Sequence, residues 1–296
     1  MKLLRNLFDF EREDSPGEVI FFKLFELFVV ASAVVLAWEW GLYTLRLSGI
    51  VSPQGIARYM EIEFMFDSMF PVLTAALITA CAGATYFRFN RYGHLAAFFL
   101  LHLQFAARHS LGKIPHGANM VGMTLLGLAL AMIIFRDDRL RRRFTLGYTY
   151  FFVGLGYVLA GCSKLVGTGL DWVDGRHLWL WVYEKSVDNL AKLGTFELNP
   201  LQEIVLGSYA TATLFLTIGL LTELCAVLVW WKRTRSAALL ALIAMHAGIY
   251  FVMNIAFTLS VYQLLLLAFP WAVWLDALAK RFEWMGAVEQ LSVRFA

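Results

Sequence analysis

Long apolar runs with almost no charge set the first constraint on what this chain can fold into. Val72–Phe87, Met120–Phe135, Phe144–Cys162 and Ala237–Met253 lie at the centres of such runs. A hydrocarbon layer about 30 Å thick takes roughly 20 apolar helical residues, and backbone in lipid must close its hydrogen bonds within its own segment. Each run therefore predicts a spanning helix, and the chain an all-α, polytopic transmembrane bundle. The sequence is 60% hydrophobic and 16% charged, with mean hydropathy +0.65. Soluble domains stand nearer half apolar and a quarter charged. The surplus apolar surface needs lipid, so the bilayer is the first expected partner.

The pattern gives about eight spans. They fall near residues 19–45, 64–87, 92–108, 118–135, 144–166, 201–231, 236–254 and 257–276. Only Asn254 to Thr258 separates the last two. Residues 1–18 read as a cytoplasmic amphipathic segment, 19–276 as the transmembrane domain and 277–296 as a cytoplasmic tail. The amino-terminal apolar run is broken by Asp9, Glu11, Arg12, Glu13 and Asp14, so it lacks the uninterrupted core of a signal peptide. Sixteen Lys and Arg fall on one set of alternate loops and eight on the other, with Lys23 at a helix start. Positively charged loops stay inside, so both termini are expected in the cytoplasm of a multi-pass membrane protein. The stretch Val166 to Pro200 carries Trp172, Trp179, Trp181 and Tyr183 among charges. It predicts an outer-face interfacial helix over 176–193.

Ionisable groups at membrane depth are costly and normally face a bundle interior or a cavity. Glu223 precedes Lys232 by nine residues and His246 follows Arg235 by eleven, which sets both roughly 13–17 Å from the inner boundary. Their helices are joined by a tight basic loop. A direct Glu223–His246 hydrogen bond is the expectation, serving either as a polar clamp or in proton handling. Lys164 stands near the outer end of its helix in AGCSKLVGTGLDWVDG. Gly154 and Gly161 are one i, i+7 step apart, and Lys164 follows Gly161 by three, so glycines and amine share a face. An amine in an apolar pocket loses its proton more readily and becomes a usable general base; a lysine snorkelling to headgroups is the alternative. His116, Asn119 and Asn254 are allowed by topology into one outer pocket with Lys164, although helix capping explains them as well. Asp67, Glu39 and Glu26 read as helix-end or interhelical polar groups.

Other chemistries find no purchase. Cys81, Cys162 and Cys225 all fall inside expected helices and form neither a disulfide framework nor a metal-ligand spacing. No phosphate loop, nucleophile elbow or dinucleotide fingerprint is present. The net charge of +3 is spread over loops and gives nucleic acid no basic surface.

The run YFFVGLGYVLAGCSKLVGTGLDWVDG, followed by TELCAVLVWWKRTRSAALLALIAMHAGIYFVMN, resembles the HTTM family, the membrane domain shared by vitamin K-dependent gamma-carboxylases and many bacterial proteins. The likeness rests on a lysine followed by Leu and then Asp-Trp-x-x-Gly, on the Glu of the sixth span, and on a His followed by Met-Asn. It implies a quinol-binding membrane enzyme of a bacterial cytoplasmic membrane. Lys164 would be the base that deprotonates a reduced isoprenoid quinone, with His116 and Asn119 near that molecule and no metal required; Asn254 and Trp172 are further candidates for binding it. Two departures stand out. The chain ends soon after the last span, so no peptide-recognising domain is expected, and the segment between Lys164 and Asp171 is longer than the family's. The alternative expectation is a non-catalytic membrane protein that binds a lipid or peptide, or partners an exported protein.

Overall fold

The computed structural model describes residues 2–47, 55–111, 116–195 and 197–282. Among them secondary structure is helical throughout, with no strand. Five helices are long and apolar enough to cross a bilayer: Pro16–Thr44, Gly117–Ile134, Asp138–Val173, Tyr209–Trp230 and Arg235–Met253. A sixth is added if Thr258–Ala268 and Trp271–Arg281 form one interrupted span, and Phe70–Tyr86 is a shorter apolar helix. The membrane-type, all-helical architecture read from the apolar runs is thus present. The seventeen-residue helix Gly93–His109 is excluded from the long apolar set by its length, and it carries His94, His102, Gln104 and Arg108.

The chain divides into two compact units, Met1–Thr149 with Pro270–Ala296, and Tyr150–Phe269. The first contains α1 (Lys2–Phe8), α2 (Pro16–Thr44), α3 (Phe70–Tyr86), α4 (Gly93–His109), α5 (His116–Ile134), the start of α6 (Asp138–Thr168) and α12 (Trp271–Arg281). A capping box starts α2. The Ser15 side chain accepts from Glu18 N, the Glu18 carboxylate accepts from Ser15 N, and Pro16 needs no donor in the first turn. The buried face of α2 runs through Phe22, Phe25, Val29, Ala33, Leu36 and Trp40, the three-and-four spacing of a packed helix stripe. At Gly41 a methyl group would stand 2.8 Å from the Pro71 carbonyl, so glycine sets the close approach of α3.

The amino-terminal segment is packed into this unit. Leu7 is buried, and Phe8 stacks on Phe144 at 5.6 Å. Asp14 pairs with Arg142 at 2.6 Å and also with Arg143, and Glu18 reaches Arg143 at 3.0 Å. The basic cluster before the fifth span is therefore helical from Asp138 onward, held by acids from residues 1–18.

The second unit holds the rest of α6, then α7 (Gly175–Leu193), α8 (Pro200–Leu206), α9 (Tyr209–Leu224), α10 (Arg235–Met253) and α11 (Thr258–Ala268). The expected single helix over 201–231 is broken twice. Ser208 is extended and caps α9 by accepting from Thr211 N, and after Leu224 the chain tightens into a 3-10 helix over Cys225–Trp230. The expected helix over 257–276 is also interrupted, because Pro270 forces the extended backbone seen at Phe269. The helices on either side of Asn254 are separate, α10 and α11. Asn254 ends α10 in the left-handed conformation, φ 54°. The predicted 176–193 helix is α7, started by Asp174 and stopped by Gly194 at φ 73°. Its Leu178 and Val182 pack on Val205, Ala212, Leu216 and Val252, so one face of this helix belongs to the core of the second unit.

Candidate functional site

One stripe of α6 organises the site. Tyr150, Gly154, Tyr157, Gly161 and Lys164 follow each other by four, three, four and three residues, and so lie along a single face. The glycines admit the antiparallel partner, α9 with its 3-10 continuation. The Trp230 indole donates to the Phe151 carbonyl at 3.0 Å, and Gly154 faces Trp230 and Ala226. A methyl group on Gly161 would meet Leu224 at 3.0 Å and the Glu223 β-carbon at 3.4 Å. Between and beyond the glycines, each large polar side chain of the stripe finds a partner on a neighbouring element.

Lys164 Nζ bonds both carboxylate oxygens of Glu223. The lysine side chain keeps 27% of its exposure and the glutamate 10%, so the pair is set into the helix packing with the amine toward its open side. Lys164 stands in the last turns of α6, where helix carbonyls favour a cation. Glu223 sits at the end of α9, where the same carbonyls disfavour an anion. The ammonium is what makes that carboxylate tolerable. Beyond α6, Gly169 at φ 63° turns the chain into the 3-10 helix Gly169–Val173. The turn brings the Trp172 ring centroid to 4.8 Å from the lysine nitrogen, a cation–π distance.

About two turns back along α6, the Tyr157 hydroxyl lies 2.6 Å from His246 Nε2. The other ring nitrogen of His246, Nδ1, is buried without a hydrogen-bond partner, and Phe257 packs on the imidazole at 4.8 Å. The two pairs are within electrostatic reach of each other, Tyr157 of Glu223 and His246 of Lys164. At the other end of the stripe, the Arg235 guanidinium lies 3.9 Å over the Tyr150 ring.

This arrangement corrects the direct Glu223–His246 bond. Similar depth gave the two residues one coordinate in common, but α6 stands between them chemically and takes Glu223 through Lys164 and His246 through Tyr157. It also corrects the expectation of an unpaired amine, since Lys164 has a carboxylate. Of the four companions proposed for Lys164, Trp172 is on it. Asn254 is engaged elsewhere, its amide donating to Asn189 Oδ1 at 3.2 Å. Asn119 is an exposed residue of α5 in the first unit, and His116 opens the same helix with a side chain outside the described residues. Tyr157 was missed. Its position three after Gly154 and four before Gly161 was the available signal.

No family model, curated protein or solved structure matches this chain.

At the mouth of the neighbouring turn, Arg176 holds the Asp174 carboxyl well below its ordinary value of 3.8, at about 2. Asp174 thus stays ionised as the cap of α7, accepting from Arg176 N at 2.9 Å.

Proposed function

We propose that the second unit binds a hydrophobic molecule bearing a weakly acidic hydroxyl, an isoprenoid quinol or a compound of that chemistry, and exchanges a proton with it. The observation that carries this reading is the Lys164–Glu223 pair, joining two membrane helices while the amine keeps more than a quarter of its exposure. Glu223 is the proton acceptor in this scheme. The proton leaves the ligand hydroxyl for the carboxylate, and the ammonium of Lys164, released from its carboxylate, holds the new oxyanion. Charge is conserved within the site, so the step avoids creating a net buried charge, which would cost several kcal/mol. Trp172 offers a ring face for a planar head, and apolar helix surface suits an isoprenoid tail. The choice of a quinol rests on the resemblance of the run around Lys164 to the membrane domain of vitamin K-dependent gamma-carboxylases.

The test is quinone and quinol binding to the purified protein, followed by quenching of tryptophan fluorescence. Wild type is expected to bind saturably. Lys164→Met and Glu223→Gln are each expected to weaken quinol binding about tenfold, the worth of one charge-assisted hydrogen bond. Binding that is absent from wild type, or as tight in both variants as in wild type, overturns the proposal.

A further inference from the structure

In the first unit, Gln104 and Arg108 stand one turn apart on α4, and only 2% and 5% of their surfaces remain exposed. The Gln104 amide nitrogen donates to the Pro71 carbonyl at 3.0 Å and to Thr74 Oγ1 at 2.9 Å. Its oxygen, Oε1, is buried and meets no donor. Arg108 has the opposite deficit. Its Nε and Nη1 are buried and meet no acceptor, and its guanidinium carbon lies 4.2 Å from the centroid of the Tyr43 ring.

An arginine keeps its charge at any physiological pH. Removing that charge from water without a counter-ion costs several kcal/mol, whereas a cation–π contact returns about 0.5–2 kcal/mol and the carbonyls of a helix end about 0.3–1 kcal/mol. The balance calls for an anion. The same unit shows what a charge-paired arginine looks like: Arg142 and Arg143, with side chains 10% and 11% exposed, both pair with Asp14, although Arg143 Nε is itself buried without a partner. Arg108 stands with His109 in the last turn of α4. Tyr43 beside it is 45% exposed, so the recess has an open side.

We propose that the Gln104–Arg108 face of α4 binds a phosphate group, either that of a lipid headgroup or a free phosphate. Arg108 donates to the phosphate oxygens, and Gln104 Oε1 accepts from a hydroxyl carried by the same molecule, the glycerol of phosphatidylglycerol or the acidic hydroxyl of hydrogen phosphate. Gln104 Oε1 and Arg108 Nε and Nη1 are buried, so both side chains must turn outward to admit the phosphate, which a guanidinium then meets edge to edge.

The full-length protein in neutral detergent is titrated by native mass spectrometry with phosphatidylglycerol and with phosphatidylcholine of the same acyl chains. In parallel, reaction of Arg108 with phenylglyoxal is followed by peptide mapping. Phosphatidylglycerol is expected to bind wild type about tenfold more tightly than phosphatidylcholine and to protect Arg108 from the reagent. Arg108→Gln is expected to abolish that preference, and Arg108→Lys to keep part of it. Protection by inorganic phosphate equal to that by the lipid assigns the site to a free anion; protection by the lipid alone assigns it to a headgroup. Equal binding of the two lipids, with labelling unchanged by lipid or phosphate, overturns the proposal and leaves a recess filled by water. The labelling arm uses wild type only, so it decides even if Arg108→Gln fails to fold.

Discussion

Each unit contains a Lys–Glu pair within its membrane helices, and the two pairs are built differently. Lys23 and Glu26 are neighbours on α2, three residues apart, with side chains 12% and 2% exposed. The Lys23 nitrogen also donates to the Tyr86 carbonyl at 2.9 Å and lies 3.7 Å over the Tyr86 ring. Its bonding directions are occupied from three sides. Lys164 and Glu223 come from different helices, the amine is the more exposed partner, and beyond the one carboxylate its neighbour is the face of Trp172. A pair saturated from every side fixes structure. A pair with an open side, bridging two helices, offers a place where a ligand can compete for either charge.

That contrast breaks first at Glu26. Lys23→Met leaves a carboxylate of 1% exposure unpaired in the first unit, and a loss of about 3–5 kcal/mol is expected. Quinol binding by whatever protein still folds should be unchanged, as a thermal melt paired with a binding titration would show. Lys164→Met strands a less buried carboxylate, so a smaller loss of about 2–3 kcal/mol is expected. Adding Glu223→Gln should restore much of it. The double-mutant cycle measures the coupling, and additive losses would mean that the two charges are independent.

Smaller effects sharpen the geometry. Gly161→Leu drives a side chain against Leu224, which a methyl group would already meet at 3.0 Å. About 1–3 kcal/mol is expected to be lost, together with quinol binding, because the α6–α9 spacing sets the Lys164–Glu223 bond. Tyr157→Phe removes the hydroxyl from His246 and is expected to cost about 1 kcal/mol in stability, measured by denaturation in mixed micelles.

The smallest effect is a pH response at the start of α7. The carboxyl of Asp174 is lowered from 3.8 to about 2 in the folded chain. Its contribution is therefore complete above the ordinary carboxylate range, declines as pH falls below 3.8 and is gone once pH has fallen through about 2. The Asp174 carboxyl carbon should titrate by NMR at about 2, and titration at the ordinary value of 3.8 would contradict the Arg176 contact.

Much of the fold was legible because lipid leaves backbone few options. The apolar runs predicted long apolar helices, although five or six and not eight of the described helices are long and apolar enough to cross a bilayer; Trp-rich 176–193 became α7 almost residue for residue, and Asn254 divided α10 from α11. The breaks were harder, although their signals were present. Asn199-Pro200-Leu201-Gln202 forms a capping box of the kind that opens a helix, while Ser208 and Pro270 interrupt apolar runs that hydropathy alone treats as continuous. At the site, the glycine spacing placed Lys164 on the face that meets α9. Depth could not choose partners, because it fixes a residue along the helix axis and says nothing of rotation about it. For that reason Glu223 and His246 were joined to each other instead of to Lys164 and Tyr157. Tyr157 escaped notice in a span rich in tyrosine and phenylalanine, where one hydroxyl carries no pattern of its own.

Where the proton goes is the most direct question. Infrared difference spectroscopy of the purified protein, with and without quinol, reads carboxyl protonation. A protonated carboxyl band should appear on quinol binding in wild type and be missing in Glu223→Gln. No such band in wild type despite saturating quinol, or the same band in Glu223→Gln, would contradict a Lys164–Glu223 pair that takes the ligand's proton.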